Sequence, residues 1–309
     1  MKENTVKENK ILKKTNLSQT AQLIAESICF LAANRKFKFL VPNDSAELSY
    51  LFSQKRIHPI NQTKLIRALR NNLLNRAIPG ITLHYLLRKK RIEEFVRCAI
   101  GDGFRQIIIL GAGFDTLGFR LGAEFSDVEF IEIDHFESQL QKIRTLNKHA
   151  LSFPNLSFFA GDLDKQTLGE ILNSALFNPQ KKTFFIAEGL LMYLSEAKVR
   201  RLFSSINEVC RDETRFAFTF MNKRSDGKIR FKNSSNFVDF WLDLHGEPFK
   251  WGISETNLPL FLVDLGHDLI ALETDQNFRE SYLNTSDLQN EMLAQGEFLC
   301  LAQAGKTDA

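Results

Sequence analysis

Cysteine is scarce in this chain. Four occur in 309 residues (Cys29, Cys98, Cys210 and Cys300), and none forms a Cys-x-x-Cys pair. That spacing excludes a disulfide framework and a cysteine-based zinc site, and it fits a reducing, cytoplasmic compartment. A surplus of one charge is missing too. Forty Lys and Arg against 37 Asp and Glu leave a net charge of +3, so no nucleic-acid partner is expected. Long hydrophobic runs are absent. The first apolar stretch, 23–33, is short and interrupted by Glu26, which makes it a poor secretory segment and too short for a membrane span. No internal repeat or low-complexity segment stands out. Phenylalanine is the abundant residue, 28 in all, and reads as core packing.

The length suits one large domain with a full core. Residues 1–16 hold five lysines (Lys2, Lys7, Lys10, Lys13 and Lys14) without aromatics or interleaved arginine, and read as a flexible, solvated tail. Residues 17–100 form a helical cap. Helical spacing runs over 18–35, with Ser18 or Thr20 as cap, and over 61–76 and 82–100, with Pro79-Gly80 between the last two. From 101 the period changes. Short, continuous apolar runs at 106–110, 128–133, 156–160, 183–187 and 214–221 read as buried strands. Helical segments lie between several of them. Ser195 is placed to cap 195–210, whose Val199, Leu202, Phe203, Ile206, Val209 and Cys210 share one face. Two last strands are expected at 266–273 and 296–303, one of them antiparallel at the edge. The fold expected is therefore α/β, a Rossmann-like sheet of about seven mostly parallel strands over 101–309. The polar stretch 224–260, with Trp241 and Trp251, reads as an inserted lid.

Four strand ends carry an acid: Asp115 after the glycine turn, Asp134, Asp162 and Glu188. Strand ends converge on one crevice in an open α/β sheet. The turn "GAGFDTLG" lacks the third glycine of a dinucleotide fingerprint, since Thr116 stands there. Asp115 would also set a negative charge beside a pyrophosphate. A cationic ligand without phosphates fits better, and S-adenosylmethionine (SAM) is one. Gly111 and Gly113 would admit its amino-acid part. Asp134, 21 residues beyond Gly113, stands where an acid holds ribose hydroxyls. Asp162 can accept from the adenine amino group.

"RQIIILGAGFDTLGFRL", "EIDHF", "AGDLD" and "FFIAEGLLMYLSEAKVRRLFSSI" resemble the leucine carboxyl methyltransferase family, including its bacterial SAM-dependent O-methyltransferases. The likeness covers about 80–304, and "EGLLMYL" is its most specific block. It implies a class I methyltransferase fold. It implies that Gly111 and Gly113 form the glycine turn, that Asp134 binds the ribose, that Asp162 and Leu163 meet the adenine, and that Glu188 lies near the SAM amino group. By the same likeness Arg88, in "HYLLRKKRIEEF", holds the SAM carboxylate. The chain departs from the family where Arg-Thr-Arg is replaced by Arg88-Lys89-Lys90, and at Leu117.

The acceptor implied is a carboxylate or another oxygen nucleophile, on a small molecule or a protein C-terminus. A carboxylate, with a pKa of about 4, needs no general base. Tyr193, five residues past Glu188, is the catalytic candidate at the substrate. His84, near Arg88, is a candidate to face the crevice. His135 reads as structural, and His58, His149, His245 and His267 as surface or core. No metal site and no membrane partner are expected, and the oligomeric state is left open. The rival readings are a non-catalytic methyltransferase-like binding module and an NAD-dependent oxidoreductase.

Overall fold

The computed structural model describes residues 18–53, 72–172 and 176–304. The expected tail 1–16, His58 and most of the expected helix 61–76 lie outside the described residues. Eight strands form one sheet: β1 (Gln106–Leu110), β2 (Glu129–Asp134), β3 (Leu156–Ala160), β4 (Thr183–Ala187), β5 (Thr214–Asn222), β6 (Gly252–Ile253), β7 (His267–Glu273) and β8 (Glu297–Ala304). The order is β3-β2-β1-β4-β5-β8-β7, and the two-residue β6 pairs with the end of β5. Strands β1 to β5 run parallel to one another, whereas β8 runs antiparallel to both β5 and β7. The antiparallel strand was expected at an edge, but it is interior. Phe298, Leu299, Cys300, Leu301 and Ala302 of β8 are all buried, so both faces and both edges of that strand must be covered.

Ten described helices matter to the argument: α1 (Gln19–Ala32), α2 (Ser45–Ser53), α3 (Ile81–Gly101), α4 (Leu117–Glu124), α5 (Phe136–Lys148), α6 (Leu168–Ile171), α7 (Glu196–Val209), α8 (Asn236–Leu244), α9 (Leu258–Asp264) and α10 (Asp275–Tyr282). Alternate residues of each central strand serve opposite layers. Ile107, Ile109, Phe130, Phe184 and Ile186 join one core with Leu86, Leu87, Val96, Leu121 and Phe278 of α3, α4 and α10. Ile108, Leu110, Ile131, Ile133 and Phe185 join the other with Leu168, Val199, Phe203, Ile206 and Leu262 of α6, α7 and α9. Burial on both faces is why β1 and β4 are apolar after their first residues, Gln106 and Thr183, which hydrogen-bond each other. A third, smaller apolar cluster lies apart from both, and joins Ile81 and Tyr85 of α3 to Met192, Phe231 and Leu242.

Helix boundaries follow local chemistry. Ser18 caps α1 by accepting from Ala21 N at 3.0 Å. Ser195 occupies the cap position of α7 but makes no side-chain capping bond. Gly80 starts α3 at φ 78°, and a Cβ there would come within 2.5 Å of the Met292 and Leu293 backbone. Only glycine lets that segment pass.

Phe203 of α7 is fully buried, and its ring meets Phe216, Phe218, Phe261 and His267 at centroid distances of 5.1, 5.4, 6.1 and 5.0 Å. Phe203→Ala is expected to lower stability by about 3–5 kcal/mol in urea unfolding. A loss under about 1 kcal/mol would show that α7 does not dock as described.

Candidate active site

Sheet order reverses between β1 and β4, and the crevice opens there, at the carboxyl ends of the strands. Its volume is about 880 Å³. Its floor is the β1 turn. Gly111 and Gly113 have φ of 65° and 46°, the left-handed region. The turn is closed by Asp134 at the end of β2. One carboxylate oxygen accepts from Gly113 N at 2.5 Å, and the other from His135 N at 2.6 Å.

The wall above is an ion-paired chain. Arg88 lies in α3 with only 2% exposure. Its Nε and Nη2 both donate to Glu188 Oε1 at 2.8 Å, and its Nη1 donates to Glu297 Oε1 at 2.6 Å. Lys89 Nζ donates to Glu188 Oε2 at 2.9 Å and to Asp115 Oδ2 at 2.5 Å. His84 Nε2 meets Glu297 Oε2 at 3.0 Å. Burial works against the charge on Arg88, yet Glu297 and Glu188 outweigh it and hold the guanidinium firmly protonated. For Glu297, burial alone would raise the carboxyl; Arg88, with His84 and Thr219, brings it down to about 2. Asp115 is likewise opposed by burial but held low by Lys89 and Lys142.

Asp115 therefore has a second use. Its other oxygen accepts from Leu117 N at 2.6 Å, which satisfies the first backbone N–H of α4. Behind it Lys142, itself buried, donates to the Asp115 carbonyl at 2.5 Å and pairs with Glu132. Burial pushes the Glu132 carboxyl up to about 7 in spite of Lys142.

The crevice brings together Arg88, Gly111, Gly113, Asp134, Leu163, Glu188 and Tyr193. It does not bring in the Asp162 side chain. Gly161, Leu163 and Asp164 line it, while the Asp162 carboxylate turns into its own loop, toward Lys165 Nζ at 2.8 Å and Asp164 N at 3.0 Å. His84 was a candidate to face the crevice, but it is fully buried against Glu297. His135 and His245 both line the crevice. His245, expected at the surface or in the core, lies 4.3 Å from the Trp241 ring and is tied to the Trp241 carbonyl. Tyr193 is bound through its hydroxyl to the Thr20 side chain; burial, then Glu247, pushes its phenol up against that bond, so it stays protonated.

Residue-level reading missed Glu297, Lys89, Glu132 and Glu247. For two of them the signal was an acid breaking an apolar strand: Glu132 within "EFIEI" and Glu297 opening "EFLCLA". Among the described residues no group of three or more His, Cys, Asp or Glu is arranged to hold a metal ion. No described helix is long and apolar enough to cross a membrane.

The model of the family described as "Leucine carboxyl methyltransferase" matches residues 32–207, more than half of the chain. The chain belongs to the leucine carboxyl methyltransferase family. It is 29% identical over 168 residues to a Mycobacterium leprae protein named "Putative S-adenosyl-L-methionine-dependent methyltransferase", which is 51% of this chain and 53% of the relative. A Mycobacteroides abscessus protein of the same name is 31% identical over 127 residues, 40% of this chain and 41% of the relative. The chain thus spans about half the length of the curated relatives it matches. The crystal structure of a "putative methyltransferase" from Thermobifida fusca superposes with a TM-score of 0.59 at 15% identity, over 84% of this chain and 93% of that one. That likeness establishes the Rossmann-like methyltransferase fold.

The two buried acids give opposite pH signatures. Glu297 sits at about 2 in the folded state against an ordinary 4.5. Its stabilisation is complete above about pH 4.5 and is lost as pH falls toward 2. Glu132 is raised, so it takes stability away as pH rises from 4.5 to about 7. Unfolding free energies of wild type and Glu297→Gln are expected to converge as pH falls below 4.5. A gap independent of pH would remove Glu297 as the ionised partner of Arg88.

Proposed function

We propose that the protein is a SAM-dependent methyltransferase that methylates an oxygen nucleophile. The observation that carries the reading is the charge of the crevice. Six carboxylates line it (Asp115, Asp134, Asp164, Glu188, Glu247 and Glu297) against three cations (Arg88, Lys89 and Lys250). A dinucleotide's phosphates would meet this surplus unfavourably, whereas a sulfonium and an ammonium would be drawn to it. Family membership and the names of its relatives support the same reading.

The turn fits such a ligand. A Cβ on Gly113 would have Ala21 Cβ at 3.5 Å and Asp134 Oδ2 at 3.9 Å as nearest neighbours, so space lies directly over the backbone. At φ 46° and 65° an L side chain would also be strained at Gly113 and Gly111. Gly111 and Gly113 would accept the amino-acid part, Asp134 the ribose hydroxyls, Leu163 the adenine face, and Glu188 the ammonium. Arg88 or its neighbour Lys89 would take the carboxylate. Lys89 is the less buried of the two, at 18% side-chain exposure against 3%. The ligand supplies an electrophilic methyl group on sulfur. The residues of the chain hold the acceptor in line and exclude water, and positioning of that kind supplies about 7–11 kcal/mol in the best intramolecular models. Tyr193, held protonated at the cavity wall, would position the acceptor rather than serve as a base.

S-adenosylhomocysteine at about 100 times its dissociation constant is expected to stabilise the fold by about 2.7 kcal/mol, read as a thermal shift, with NAD giving none. Asp134→Ala is expected to abolish that shift while still melting cooperatively. A shift with NAD alone, or an undiminished shift in the variant, would contradict the assignment.

A further inference from the structure

The crevice has a second end, whose chemistry differs from that of the glycine turn. Here the third apolar cluster is open to the cavity. Tyr85, Met192, Tyr193, Phe231, Trp241 and Phe249 face it from α3, the segment after β4 and the 224–260 insertion. The Phe249 ring stands 5.8 Å from Tyr193 and 6.2 Å from Phe231, the latter edge-on. Such a set of rigid rings suits a flat ligand. Polar groups enter it beside His245 and Lys250 of the insertion. Glu247 Oε2 accepts from Thr20 Oγ1 at 2.6 Å and from Thr20 N at 3.3 Å, joining the insertion to the start of α1. Tyr193 is bound to the same Thr20 side chain.

We propose that this chamber binds a flat, apolar small molecule that presents a neutral hydroxyl to Glu247 and Thr20, and that Glu247 selects it against carboxylates and peptide C-termini. The inference rests on the reading of the crevice given above and narrows its acceptor. A ligand hydroxyl can donate to the Glu247 carboxylate, a charge-assisted bond in a partly dry site. A ligand carboxylate at the same place sets two like charges together. Burial is the first cause that pushes the Tyr193 and Tyr85 phenols upward; Glu247 and Glu297 add to it, against Arg88 at Tyr85 and the Thr20 bond at Tyr193.

The test is calorimetric titration, without any adenosyl ligand, of 2-naphthol, 2-naphthoate and a short peptide ending in leucine. Wild type is expected to bind 2-naphthol about tenfold or more tightly than 2-naphthoate, and the peptide more weakly still. Glu247→Gln keeps an acceptor but removes the charge, and is expected to bring the two naphthalenes close together. Phe249→Ala is expected to weaken 2-naphthol while the melting transition stays cooperative. Equal or tighter binding of 2-naphthoate or the peptide by wild type would overturn the proposal. So would an unchanged ratio in Glu247→Gln, or no binding of 2-naphthol. Binding of 2-naphthol without any S-adenosylhomocysteine shift would leave this chamber standing and remove the methyltransferase reading instead.

Discussion

The buried guanidinium of Arg88 is the point through which the sheet, the helical cap and the crevice are joined. It bonds Glu188 at the end of β4 and Glu297 at the start of β8, and its own helix forms part of the cap. A charge this deep is tolerable only because both carboxylates are present and hydrogen-bonded. Removing one partner of such a pair is destabilising by about 3–5 kcal/mol. The network continues on both sides, through Lys89 to Asp115 at the start of α4 and through Glu297 to His84. The same side chains therefore lock α3 to the strand ends and line the cavity.

This arrangement explains why the chain before β1 belongs to the site rather than decorating it. Thr20 of α1 ties to Glu247 of the insertion, and α2 touches the turn through Ser45 and Thr116 at 3.2 Å. The insertion turns Trp241 and Phe249 toward the cavity. The open strand ends are thus walled by polar groups on the β1 and β2 side and by aromatics on the side of β4 and β5.

Much of the frame was legible in the sequence because burial on both faces forces continuous apolar strands, and β1 and β4 stand where those runs stand; β3 also lies on its expected run, although as an edge strand it is mostly half-buried. The placement of β8 between β5 and β7 was not legible, since antiparallel insertion is decided by contacts far apart in the chain. At the site the glycine turn and Asp134 could be read from spacing. The pairing of Arg88 with Glu297 could not, because 209 residues separate them. Asp162 shows the reverse limit: its position in the chain was readable, but Lys165 three residues on draws its carboxylate away from the crevice. His84 shows it again, since a helix period placed it near Arg88 without saying that a strand acid would cover it.

The central claim is that one buried guanidinium both holds the fold and shapes the ligand site. Arg88→Lys tests it most directly, because lysine keeps the charge and loses the planar fork that reaches Glu188 and Glu297 together. S-adenosylhomocysteine affinity would be measured by calorimetry under conditions where the variant is folded, alongside its unfolding free energy. The account predicts that both fall, with affinity lower by about tenfold or more. A variant that loses stability but binds the ligand with wild-type affinity would contradict it, and would make the Arg88 network a structural device alone.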